Sequence, residues 1–182
     1  MTTVKSVTKD ICYIGIGAAL ITVCAWLSIP AVVSFTLQTF AVSLIAALFG
    51  IKNSSLSVIV YIFLGAVGVP VFSGFRGGMG ALLGVTGGYI VGFLVMALAE
   101  SLIIHFFGRK IPVMAIAMVV GLILCYAFGT AWFMFVYLRN TGSIGLLSVL
   151  TKCVFPFIIP DLLKLSLALF IAKRLEKPLK LR

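Results

Sequence analysis

An all-α membrane protein, a compact bundle of six transmembrane helices with both termini cytoplasmic, is the fold class this sequence predicts. Three observations lead there. Of 182 residues, 63% are hydrophobic and only 10% charged, against roughly 45–50% and about 25% in a soluble domain. A water-soluble fold of this length has too little interior to hide so much apolar surface. The apolar residues form six continuous runs rather than the alternating strands of a membrane barrel. The cations, fourteen Lys and Arg against four Asp and Glu, divide unevenly between the two sets of loops, which makes them a topology signal. A single integral membrane domain over residues 1–182 is expected. A soluble enzyme, a nucleic-acid binder and a disordered chain are excluded.

The first run, 11–29, is nineteen residues without a charge. It lacks a clear A-x-A cleavage site and five more runs follow, so it is read as a retained span rather than a secretory leader. After Pro30 come 37–50 and 56–68. Both fall short of the about 20 residues that cross a ~30 Å hydrocarbon core. They are expected to borrow flanking residues such as Thr36 and Ser54, or to lie where the bundle shields them. The last three runs are 79–104, 113–138 and 155–172. Backbone in lipid must satisfy its own hydrogen bonds, which makes each run a helix.

With the N-terminus inside, the inner loops and tail hold ten cations: Lys5, Lys9, Lys52, Arg109, Lys110, Lys173, Arg174, Lys177, Lys180 and Arg182. The outer side holds three, Arg76, Arg139 and Lys152. Cytoplasmic loops carry the excess of Lys and Arg, so both termini are placed inside, and the bilayer is the first partner.

Several chemistries are missing. There is no G-x-x-x-x-G-K-[ST] loop and no Gly-Lys pair, so ATP is not bound by that route. One histidine, His105, cannot make an H-E-x-x-H zinc site. Ser73 is expected at the outer face and His105 at the inner, which separates the nearest nucleophile–base pair. No metal site, no cofactor and no enzymatic activity are expected. Cys12, Cys24, Cys125 and Cys153 are isolated and read as packing residues. Asn53-Ser54-Ser55 fits a glycosylation pattern but falls on a cytoplasmic loop.

Three places carry polar groups that the bilayer does not favour. Asp161 and Lys164 lie inside the last run, where each charge costs about 2.5–3.5 kcal/mol on insertion scales. Their spacing puts them on one helical face. They form either a structural ion pair or a polar ligand contact. Pro156 and Pro160 flank them and bend the start of the helix. The stretch from Gly65 to Gly92 holds ten of the eighteen glycines. Gly84, Gly88 and Gly92 recur at the spacing of close helix packing. Arg76, Thr86 and Tyr89 add donors and an aromatic face that packing does not explain. Thr36, Gln38 and Thr39, between Phe35 and Phe40, serve either as an interfacial cap or as ligand contacts. All three places fall toward the outer half, with Asp161 six residues into its run, or ~9 Å by helical rise. Convergent donors and acceptors at one mouth describe a small-molecule site. On the first run, Gly15 and Ala19, and likewise Ala18 and Thr22, are spaced small-xxx-small, a face for another helix of this chain or for a second protein.

Phe35-Thr-Leu-Gln-Thr-Phe40, Leu64-Gly-Ala-Val-Gly-Val-Pro-Val-Phe-Ser73, Gly84-Val-Thr-Gly-Gly-Tyr-Ile-Val-Gly-Phe93 and Phe155-Pro-Phe-Ile-Ile-Pro-Asp-Leu-Leu-Lys164 together resemble the BioY family, the biotin-specific S components of energy-coupling factor transporters. The resemblance runs in order along nearly the whole chain, with Val85 standing where the family commonly has Pro. It implies biotin capture at the outward mouth of a six-helix bundle in a bacterial plasma membrane. It implies as partners a membrane coupling protein and two cytoplasmic ATPases, which accounts for the missing phosphate loop, and biotin as cargo rather than cofactor. Asp161 would then accept from a ureido N–H and Lys164 donate to the ureido carbonyl. Tyr89 and Phe93 would wall the rings. Thr36, Gln38, Arg76 or the N–H groups of Gly77 and Gly78 would meet the carboxylate. Gly15, Ala18, Ala19 and Thr22 resemble the docking face for the coupling protein. Alternatives are an S component for another vitamin, or a structural membrane subunit.

Overall fold

The computed structural model describes residues 2–29, 34–140 and 145–178, with side chains described from residue 7 onward apart from residue 140. Pro30, Lys180 and Arg182 therefore lie outside the described residues, as does the side chain of Lys5.

Among the described residues, seven helices carry the fold: α1 (Thr2–Trp26), α2 (Gln38–Ala66), α3 (Met79–Leu83), α4 (Gly87–Phe107), α5 (Ile111–Asn140), α6 (Leu146–Cys153) and α7 (Phe155–Glu176). Five of them, α1, α2, α4, α5 and α7, are long and apolar enough to cross a membrane. One departure from the all-helical expectation is small. Strands β1 (Ser28–Ile29) and β2 (Phe35–Thr36) pair antiparallel between α1 and α2.

The short runs 37–50 and 56–68 belong to one element. Helix α2 is a folded hairpin, broken where Gly50 adopts φ 73° and ψ 178°. That backbone region is essentially restricted to glycine. Proof of the reversal is the hydrogen bond from Gln38 Nε2 to the Tyr61 hydroxyl at 2.6 Å, because a straight helix would hold those residues ~34 Å apart. The first arm, 38–49, is the central helix of the bundle, with every residue from 41 to 48 buried. The shielding expected for the short runs is thus observed for this arm. The segment 51–55, expected as a loop, is helical. Asn53 is buried there, its amide donating to Asp10, which leaves the glycosylation pattern inaccessible.

The run 79–104 is not one helix. It divides into α3 and α4, separated by Gly84–Thr86. The Gly84 carbonyl accepts a bond from the Trp132 indole at 3.1 Å, so tertiary packing takes up backbone that would have continued the helix. Helix α6 went unrecognised in the sequence, since its eight residues lie below the length of a span. Helices α4 and α5 pack along most of their lengths. A Cβ at Gly88 would meet Trp132 and one at Gly92 would meet Cys125, which is the close approach that the four-residue glycine spacing implied. Cys24, Cys125 and Cys153 are buried free thiols and Cys12 is exposed.

Candidate functional site

The chain start of α2, the second α2 arm, the loop 68–78 and helices α4, α5 and α7 converge on one cavity. It holds about 100 Å³ of space open to a water-sized sphere. Its polar lining is Ser34, Thr36, Gln38, Thr39, Tyr61, Ser73, Arg76, Thr86, Tyr89, Tyr126, Asp161 and Lys164, and its walls include Phe72, Ile90, Phe93 and Phe157.

Asp161 and Lys164 sit one turn apart on α7 and are 3% and 7% exposed. Their ion pair is 2.7 Å long. Burying two charges is unfavourable unless the remaining lone pairs and protons are also satisfied, and here most of them are. Thr39 donates to Asp161 Oδ1 at 3.0 Å and Tyr126 donates to Oδ2 at 2.5 Å. Lys164 Nζ donates to the Thr36 carbonyl at 2.6 Å and lies 3.9 Å from the centroid of the Phe35 ring, a cation–π arrangement. Beside the pair, Thr36 Oγ1 donates to Gln38 Oε1 at 3.0 Å, and Gln38 passes a bond to Tyr61. On the far wall the Tyr89 and Thr130 hydroxyls are 3.3 Å apart.

The loop 68–78 adds Phe72, Ser73 and Arg76 to the lining. The Gly78 N–H donates to the Gly65 carbonyl at 2.6 Å. The Phe72 N–H donates to the Arg76 carbonyl, and Arg76 Nε donates to Ser73 O. Trp26 anchors the loop to α1 by a bond from its indole to the Pro70 carbonyl at 2.9 Å and by stacking on Phe75.

Nine residues singled out in the sequence, Asp161, Lys164, Thr36, Gln38, Thr39, Arg76, Thr86, Tyr89 and Phe93, line this cavity. Gly77 and Gly78 do not. Gly77 packs its α-carbon against the backbone of Gly68 and Val69, and Gly78 caps the loop onto Gly65. Tyr61, Tyr126 and Phe157 line it without having been picked out. Tyrosines and phenylalanines inside apolar runs look like packing until the fold turns them toward a cavity, Tyr126 onto Asp161 and Tyr61 onto Gln38. Glu100 was also missed, although a carboxyl within the run 79–104 was a visible signal.

The small residues of α1 separate into two sets. Ala18 and Thr22 turn inward, and Thr22 Oγ1 donates to the Ala18 carbonyl at 2.8 Å. Gly15 and Ala19 are exposed, with open space where a Gly15 side chain would project.

Chemically, the cavity offers a carboxylate acceptor beside an ammonium donor, neutral hydroxyl and amide groups, and aromatic walls. His105 lines a separate recess with Gly50, Ser101 and Arg109 at the other end of the bundle, far from Ser73. No cluster able to hold a metal ion occurs among the described residues.

The family model described as BioY family matches residues 1–181. The chain belongs to the BioY family. It is 41% identical over 166 residues to the biotin transporter BioY of Thermotoga maritima, covering 90% of this chain and 93% of that one. It is 36% identical over 170 residues to the probable biotin transporter BioY of Pyrococcus horikoshii, covering 92% and 96%. The crystal structure of the S-component for biotin from an ECF-type ABC transporter superposes with a TM-score of 0.83 at 26% identity, over 95% of this chain and 93% of that one. BioY chains are transporter components rather than enzymes, and the family brings no cofactor with it.

Proposed function

We propose that this chain captures biotin from outside the cell and delivers it inward together with an ATP-driven energy-coupling module, as the S component of that module. The observation that carries this reading is the buried Asp161–Lys164 pair at the wall of the cavity in a chain of the BioY family. A ureido ring presents two N–H donors and one carbonyl acceptor. A carboxylate and an ammonium on one helical turn can meet both kinds of group, and charge-assisted bonds in a dry pocket discriminate sharply. Tyr89 and Phe93, both in the lining, would wall the apolar rings. Thr36, Gln38 and Arg76 are the lining donors for a carboxylate tail.

The two α2 arms count separately, giving six crossings with the cavity outward and both termini inward in a bacterial plasma membrane. A membrane coupling protein and two cytoplasmic ATPases are the proposed partners, with the exposed Gly15 and Ala19 on the docking face.

Binding of labelled biotin to detergent-purified protein, with dethiobiotin and riboflavin as competitors, tests the substrate. The expected result is saturable binding displaced by dethiobiotin and strongly weakened by Asp161→Asn. Folded protein that ignores biotin, or releases it to riboflavin, would remove the assignment.

A further inference from the structure

Helix α4 carries a carboxyl that the ligand site does not use. Glu100 is 0% exposed, in the middle of a membrane-length helix. The ion pairs among the described residues are Lys52–Asp10, Arg109–Glu176, Lys164–Asp161 and Lys173–Glu176, and none reaches it. Glu100 Oε1 accepts a bond from Ser43 Oγ at 2.9 Å, and Oε2 makes none. Helix α5 is shaped around this side chain. A Cβ at Gly121 would collide with its Cγ and Oε1. Ionisable groups in membrane spans are costly and are kept where they serve a purpose.

Ser43 gives the purpose a direction. It sits in the buried stretch 41–48 of the first α2 arm, one turn inward from Thr39, which donates to Asp161. One further turn inward, the Ala47 carbonyl accepts from Arg109. The central arm is thus fastened along one face, at four-residue intervals, to α7, to α4 and to the α4–α5 turn. Its outer end is the part that builds the ligand cavity. Because the arm is short and interrupted at Gly50, its own helical bonds do not fix its height in the bundle. A slide or rotation would carry Thr39 away from Asp161 and Gln38 away from Tyr61.

We propose that Glu100 is a positioning residue for the ligand cavity. Through Ser43 it fixes the register of the central arm against α4, the helix that also presents Tyr89 and Phe93. The proposal rests on the biotin reading only for its affinity measurement.

The test compares wild type, Ser43→Ala, Glu100→Ala and Glu100→Gln, purified in detergent. Biotin affinity and hydrogen–deuterium exchange are measured on each. Loss of the bond in either alanine variant is expected to weaken biotin binding about five- to tenfold, the scale of one lost intramolecular hydrogen bond. Peptides covering 38–49 should exchange faster while the other helices keep their rates. Glu100→Gln retains an acceptor for Ser43 and should restore both readings to within about twofold of wild type. Unchanged affinity and exchange in Ser43→Ala would overturn the proposal, as would faster exchange spread evenly over all helices. So would a Glu100→Gln protein that behaves like Glu100→Ala. If Glu100→Ala does not fold, Ser43→Ala, which removes one oxygen, decides alone. Wild-type protein that ignores biotin while the exchange pattern holds would sink the biotin reading and leave the positioning role supported.

Discussion

Three donors, from Thr39, Tyr126 and Lys164, meet on the single carboxylate of Asp161. The arrangement separates what the ion pair contributes to stability from what it contributes to binding. Removing one partner of a buried pair costs about 3–5 kcal/mol, because the other charge is left uncompensated, whereas replacing both by apolar groups is often neutral. Lys164→Met is therefore expected to lower the thermal midpoint in detergent markedly. Adding Asp161→Leu to it should recover most of that loss, while biotin binding stays abolished in both proteins. Thermal unfolding beside a binding assay checks this. A double variant that is stable and still binds would show the pair to be a packing device. Asp161, Lys164, Thr36 and Gln38 were visible in the sequence because polar groups stand out against apolar runs. The third donor on Asp161 was not. Tyr126 differs little in sequence from the aromatic residues that face lipid, and only the crossing of α5 past α7 gives its hydroxyl a partner.

At the scale of elements, the α2 hairpin turns on one backbone conformation. Gly50 has φ 73°, and no atom lies within 4 Å of where a Cβ would stand, so a substitution there meets backbone strain and no collision. Gly50→Ala should destabilise the protein by about 1–3 kcal/mol, the usual cost of a non-glycine residue in this region. Gly15→Ala on α1, which is equally unobstructed but lacks the positive φ, should leave the thermal midpoint nearly unchanged. Equal shifts in the two variants would contradict the strain argument. The sequence showed six apolar runs and their order. It did not show that the second and third form a hairpin with helical residues up to the turn, since Lys52 and Asn53 read as a loop on polarity alone. Helix packing decided that point, with Asn53 and Lys52 both paired to Asp10 of α1. The split between α3 and α4 escaped for a related reason. An apolar run gives no sign of where the Trp132 indole will claim a backbone carbonyl.

Across the whole molecule, the chain passes back and forth between two chemically different ends. The end holding the cavity carries Arg76, Arg139 and Lys152. The opposite end carries Lys9, Lys52, Arg109, Lys110, Lys173, Arg174 and Lys177. There Arg109 donates to Glu176 and to the Ala47 carbonyl, and Lys173 donates to Glu176 and to the Arg109 carbonyl, tying α2, the α4–α5 turn and α7 together. Because cytoplasmic ends attract the excess of Lys and Arg, the cavity is expected to open outward. Single cysteines in a background freed of Cys12, Cys24, Cys125 and Cys153 test this in whole cells. Ser148→Cys, on exposed α6 beside the cavity end, should react with a membrane-impermeant maleimide added outside. Lys177→Cys, exposed past the end of α7, should react only after the membrane is opened. The reverse pattern would place the cavity in the cytoplasm and would end the capture mechanism, because a site facing inward cannot take its ligand from outside without first turning over.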